Sequence, residues 1–263
     1  MKHILVPIGS TENAQSTLQY AIDFAVEINA DVSVFRAYRA KSKAGSMVNV
    51  DTIIERETNL YLQTMVKAVD RKNVDIKLIS SKGSTIESVK AIDNKIGIDL
   101  IIVGARSNSF KEGTFLGSTA GSLVKQTDIA VLAVPENYVY SPINNILMAY
   151  KSGVVNRIAA LDPIKLIADK LNPKINSLLV KTPEFTENDA IINEDLQKLQ
   201  SSFTTTENAT TFQGVLEHFQ THNPDMLCVF RRKRGFFKKL WEKNIILKKE
   251  FHTSIPLLIL KGK

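Results

Sequence analysis

Short apolar runs alternate with longer stretches of helical periodicity along the whole chain. Residues 3–8 (HILVPI) form a compact apolar run that reads as a buried strand. Over 13–29, Leu18, Ala21, Ile22, Ala25 and Ile28 recur at the spacing of one helix face. Residues 31–38 (DVSVFRAY) read as the next strand, and a loop rich in Lys, Ser and Gly follows over 39–50. A helix over about 51–70 places Ile54, Tyr61, Leu62, Met65 and Val69 on one face. The pattern then gives strand 74–80, helix 84–96 and strand 99–103. A Gly/Ser-rich loop, helix 117–126 and strand 129–134 follow, closed by Pro135. Five strands alternating with helices specify a doubly wound parallel sheet with helices on both faces.

The same order then restarts. Ile146-Leu147-Met148-Ala149 mirrors Ile4-Leu5-Val6-Pro7. Helical spacing returns over 157–171, where the helix either starts at Asp162-Pro163 or is kinked there. Strand 175–180, helix 186–201, a weak strand near 203–206, helix 211–221 and strands 226–230 and 255–260 complete a second copy. The expected fold is therefore α/β: two doubly wound, five-stranded, Rossmann-like parallel-sheet domains in tandem, 1–140 and 141–263. The fifth strands, 129–134 and 255–260, are strongly apolar. Left bare at a sheet edge they would be an aggregation hazard, so the two halves are expected to pair them as an intramolecular pseudo-dimer. A homodimer would use the same chemistry between chains.

Charge changes the picture locally. The chain carries a net +7. Segment 231–250 (RRKRGFFKKLWEKNIILKKE) holds nine Lys/Arg and two Glu, so it supplies that whole excess. No apolar stretch approaches the roughly 18 residues a membrane-spanning helix needs, and residues 1–7 lack the pattern of a signal peptide. One cysteine, Cys228, excludes an intrachain disulfide. These features fit a cytoplasmic protein.

The candidate chemistry sits where strand 99–103 ends. Gly104 turns the chain sharply at the end of a buried strand, and Gly117-Ser118 opens a helix whose free N–H groups favour a phosphate. The spacing Gly104-x2-Ser107-x9-Gly117-Ser118, together with the opening stretch ILVPIGSTENA, resembles the universal stress protein family, whose loop reads Gly-x2-Gly-x9-Gly-(Ser/Thr). The resemblance covers 1–135 by motif and 142–263 by element order. It implies an adenine nucleotide, ATP or AMP, with Mg present only alongside it, held by Pro7, Ile8, Gly104, Ser107, Gly117, Ser118 and Thr119. Two positions depart from the pattern: Ser107 stands where the second glycine belongs, and Gly9 stands where binders carry an acidic residue. In the second half Arg231 aligns with the first glycine, and the Gly117-Ser118 position falls near Asn244-Ile245, so the resemblance implies no nucleotide there.

Other constellations have plainer readings. His218 and His222 have helical ligand spacing but lack the glutamate of a metalloprotease motif, and helix C-termini favour histidine in any case; no metal site is expected. Cys228 reads as a small buried hydrophobe. No nucleophile elbow or Walker A loop occurs, so the chain is not expected to be an enzyme. Within 231–250, spacings 237→241→245 and 242→246 favour an amphipathic helix with Phe236, Phe237, Trp241, Ile245 and Ile246 inward and lysines in water. The rival reading is a surface for an anionic partner, though no recognised nucleic-acid module surrounds it. Three functions stay open: a stress-response regulator holding a nucleotide in its first half, a nucleotide-independent protein-interaction module, and an anionic-partner binder.

Overall fold

In the computed structural model, residues 3–9, 13–39, 50–105, 114–231, 246–247 and 254–261 are described. The first half runs β1 (His3–Pro7), α1 (Ala14–Ile28), β2 (Asp31–Tyr38), α2 (Val50–Lys67), β3 (Ile76–Lys82), α3 (Thr85–Ile96), β4 (Leu100–Gly104), β5 (Thr114–Leu116), α4 (Ser118–Gln126) and β6 (Ala130–Val134). The second runs β7 (Asn145–Tyr150), α5 (Asp162–Leu171), β8 (Lys174–Lys181), α6 (Glu194–Leu199), β9 (Ser202–Glu207), α7 (Thr211–His222), β10 (Met226–Arg231), β11 (Ile246–Leu247) and β12 (Leu257–Lys261).

Ten strands form one sheet in the order β3-β2-β1-β4-β6-β12-β10-β7-β8-β9. Strands are parallel within each half, and the two fifth strands meet antiparallel, with Val131, Leu132 and Ala133 opposite Ile259, Leu258 and Leu257. Each apolar fifth strand thus covers the other, and the outer edges fall to β3 and β9, whose sequences IKLISSK and SFTTTE are largely polar. Helices α1, α2, α5 and α6 pack on one face through residues such as Leu18, Leu62, Ile164 and Leu196. Helices α3, α4 and α7 pack on the other through Val89, Leu123 and Val215.

The duplication extends to hydrogen-bond chemistry. Asp99 accepts the His3 amide and donates its own to the His3 carbonyl, and Asp225 does the same with Asn145. Ser84 and Thr210, which precede α3 and α7, both cap through their hydroxyls and stand three residues before Glu87 and Gln213. Both α1 and α5 end on an asparagine in the left-handed region, Asn29 at φ 54° and Asn172 at φ 48°. These caps start or stop matching helices at matching places although few side chains are shared.

Registers place the copies residue by residue. Ile4 faces Leu100, and Ile146 faces Met226. Counting along the strands, the counterpart of Gly104 is Phe230, and Arg231 matches Ala105. The alignment of Arg231 with the first glycine is therefore corrected by one residue. The helical reading of 231–250 is also corrected where it can be seen: Ile246–Leu247 are a strand, pairing antiparallel with β5. Tertiary pairing there overrides local periodicity. Phe236, Phe237, Trp241 and Ile245 lie outside the described residues. The helix read over 186–201 divides into a single 3-10 turn at Glu187–Ala190 and the short α6, and 158–161 is likewise a 3-10 turn ahead of α5. Pro163 sits in the first turn of α5, where its missing N–H costs nothing.

Candidate functional site

In the sheet order the chain leaves β1 for β2 and β3, then returns to place β4 on the other flank of β1. Ligands of doubly wound sheets bind at this reversal, beyond the carboxyl ends of the strands. Pro7 ends β1, Gly104 ends β4, and Ile8 is a buried continuation whose amide donates to the Phe35 carbonyl at 2.7 Å. Six of the seven residues singled out from the sequence are thus placed by three elements: Pro7 and Ile8 at the end of β1, Gly104 at the end of the adjacent β4, and Gly117, Ser118 and Thr119 at the start of α4. Ser107 lies outside the described residues.

Gly104 has a steric reason to be glycine. A Cβ built on it would lie 2.9 Å from the Thr17 Oγ1 on α1, which crosses close over the strand end. Gly117 is the N-cap of α4 in extended conformation (φ −72°, ψ 176°), and its carbonyl accepts the Gly121 amide at 2.8 Å. Gly117 is buried, whereas Ser118 and Thr119 are exposed. A helix N-terminus with no side-chain cap offers amides and the positive end of the dipole to an anion.

Two residues at this edge were not visible as site residues in the sequence. The Gly9 carbonyl, at the position where binders carry an acid, accepts the Tyr61 hydroxyl at 2.9 Å and the Arg36 guanidinium at 3.3 Å. The Arg36 guanidinium lies over the Tyr61 ring, 4.1 Å from its centroid. The rim at the end of β1 thus carries a cation. Its only sequence signal is a lone Arg on the face of β2 that carries Val32 and Val34.

The second half is filled at the equivalent place. Phe230 stands at the Gly104 position and Tyr150 at the Ile8 position, both buried, with ring centroids 6.2 Å apart and planes near perpendicular. The backbone of 189–193 closes over Gly153: the Gly153 amide donates to Asp189, and the Asn193 amide to Gly153. A Cβ on Gly153 would lie 2.7 Å from the Ile191 carbonyl oxygen.

A cavity of about 220 Å³ lies elsewhere, at the amino ends of β4 and β6 against the turn before α5. Asp93, Asp99, Asp128, Asp162 and Lys261 line it. Four carboxylates against one cation disfavour a phosphate, and Asp93 and Asp99 already accept the amides of Ile98 and His3.

The histidine pair has a structural explanation: the His222 Nδ1 lies 2.9 Å from the His218 carbonyl at the end of α7. Asp225 accepts the amides of Asn144 and Asn145. Cys228 is fully buried, and burial pushes its thiol pKa up, keeping it protonated and inert. Among the described residues no cluster of His, Cys, Asp and Glu fits a metal, and no helix is long and apolar enough to cross a membrane.

The family model for the universal stress protein family matches residues 1–135. The stress response protein NhaX of Bacillus subtilis (strain 168) is 23% identical over 159 residues, covering 50% of this chain and 96% of NhaX. Among solved structures, a universal stress protein from Archaeoglobus fulgidus DSM 4304 superposes with TM-score 0.73 at 14% identity, covering 99% of this chain and 98% of that one. A functionally unknown protein from Pseudomonas aeruginosa PAO1 gives 0.57 at 11% identity, covering 100% and 93%. The last two matches run across both halves and speak for the shared ten-stranded fold. The match over the first half, which carries the Gly104 and Gly117 positions, shows that this chain belongs to the universal stress protein family.

Proposed function

We propose that this protein is a stress-response regulator that binds one adenine nucleotide, ATP or AMP, in its first half, with Mg²⁺ entering only alongside the nucleotide. The observation that carries this reading is the contrast between the halves. Gly104 ends its strand with no side chain and Gly117 opens α4, whereas the counterpart of Gly104 is Phe230, packed on Tyr150. Backbone amides of the α4 N-terminus, with Ser118 and Thr119 beside them, would receive the phosphates, and Ser107 would complete the loop. Pro7 and Ile8 would form the floor at the end of β1. Arg36 adds positive charge at the rim. The protein would act by binding rather than turnover, since the site groups named here include no carboxylate or imidazole to activate the Ser and Thr hydroxyls.

The second half would serve as a nucleotide-free structural and interaction partner. A nucleotide-independent interaction module is favoured by one observation, the Gly9 carbonyl held by Tyr61 and Arg36 where binders carry an acid. Mass spectrometry of small molecules released by denaturing gently purified protein separates the two readings. Adenine nucleotide near one per chain supports the first, and none, even after incubation with millimolar ATP and desalting, supports the second.

A further inference from the structure

Helix α4 is held at both ends by the other half of the chain. At its C-terminus the Arg231 guanidinium donates to the carbonyls of Val124, Lys125 and Thr127, the last at 3.2 Å. The Thr127 carbonyl also accepts Lys261 Nζ at 3.1 Å, and Lys261 forms an ion pair with Asp128. At the other end, β5 pairs antiparallel with β11, Leu116 opposite Ile246. A single residue, Gly117, separates β5 from the first turn of α4.

Arginine is chemically suited to holding a helix end. The last carbonyls of a helix lack intrahelical donors and carry the negative end of its dipole. A planar guanidinium with several N–H donors engages more of them than a lysine ammonium would. Burial lowers the Arg231 pKa, yet guanidinium remains charged in proteins. With nine residues, α4 is about 13 Å long, so a shift or tilt fixed at Thr127 reaches Gly117 nearly undiminished.

We propose that Arg231, from the nucleotide-free half, is a positioning residue for the phosphate end of the first-half site, coupling the two halves through α4. It touches no ligand; it acts by fixing where the amides of Ser118 and Thr119 stand. The proposal rests on the nucleotide reading above. It gives the second half a specific role, because Arg231, one residue beyond the blocked Phe230 position, sets the register of the helix that meets the phosphates.

The test uses the full chain, Arg231→Gln, with ATP–Mg²⁺ and adenosine as separate probes in equilibrium titrations. Positioning predicts that ATP affinity falls on the order of tenfold, within the usual range of coupling between sites. Adenosine affinity should stay within about twofold, because adenosine carries no group for the α4 amides. Equal loss for both probes would mean general damage and would overturn the assignment. Arg157→Gln, which removes a second-half cation beside Asp128 without touching an α4 carbonyl, should leave both affinities unchanged; a tenfold ATP loss there too would reduce the effect to bulk charge and overturn it as well. ATP bound equally by wild type and Arg231→Gln overturns the role of Arg231 and leaves the nucleotide site standing. A wild type that takes up no ATP overturns both.

Discussion

At Gly104 the end of β4 runs close against Thr17 of α1, and a single methyl group tests it. In Gly104→Ala the new Cβ would lie 2.9 Å from the Thr17 Oγ1, closer than real Cβ contacts. Neither side can retreat freely. Gly104 is paired to Val134 inside the sheet, and α1 is anchored by the fully buried Leu18, Ala21 and Ile22. Overpacking of this kind costs about 1–3 kcal/mol. One term opposes it: Gly104 does not have a positive φ, so alanine would otherwise gain about 0.4–1 kcal/mol from the unfolded chain. The expected net loss is about 1–2 kcal/mol. Thr17→Ala removes the obstructing oxygen, so on that background Gly104→Ala should be neutral or slightly stabilising. The double-mutant cycle should then show a coupling of about 1–2 kcal/mol, as expected for residues in contact. Urea unfolding followed by both circular dichroism and intrinsic fluorescence measures it, coincident curves securing the two-state treatment. Strictly additive costs, or a Gly104→Ala protein as stable as wild type on the unmodified background, would refute the steric account.

Gly153→Ala should be more costly, near the 3 kcal/mol end of the overpacking range. Its Cβ meets the Ile191 carbonyl oxygen and the Ile192 Cα, each at 2.7 Å, and trimming Ile192 to alanine should give little relief in the same unfolding assay. Phe230→Ala should cost about 3–5 kcal/mol without creating a second nucleotide site by titration, because the backbone over Gly153 still closes that edge. Tyr140 is pushed up to about 12 by burial first, then by Glu27 and Asp23. An unfolded tyrosine ionises near 10, so between about pH 10 and 12 the folded protein holds a proton the unfolded chain has lost. Stability should fall as pH rises through that window, by at most about 3 kcal/mol from linkage and nearer 1 because the ring is only half-buried. Tyr140→Phe should flatten that slope in alkaline unfolding curves, and an unchanged slope would remove the assignment.

Most elements were legible because each carries a local signal. The strand LIIV after Asp99 and the stripe Leu18, Ala21, Ile22, Ala25 are burial written as periodicity. Gly104 and Gly117-Ser118 stood out because a turn at the end of a buried strand and the start of a helix each leave a local mark in the sequence. What escaped depends on partners far away in sequence. Arg231 reads as one cation in a basic run until the fold sets it on carbonyls of residues 124–127. Tyr138 and Tyr140 look like linker residues. They pack edge-on against Tyr20, with Tyr140 also against Phe24, and fasten the link between the halves to α1. The one-residue error at Phe230 arose because RRKR resembles no strand end, while the register was fixed by Asp225 on Asn145. Ile246–Leu247 shows the reverse failure, helical spacing overridden by pairing with β5.

The central claim is one nucleotide site per chain, built on the amides at the start of α4. Isothermal titration of the full chain with ATP and Mg²⁺, wild type beside Gly117→Val, tests it most directly. The extended backbone of Gly117 is one that valine adopts, and circular dichroism of the variant checks that the fold is kept while its side chain obstructs the phosphates. The account predicts a stoichiometry of one in wild type and no binding in the variant. Two sites per chain, equal binding by both proteins, or no heat from wild type at millimolar ATP would contradict it.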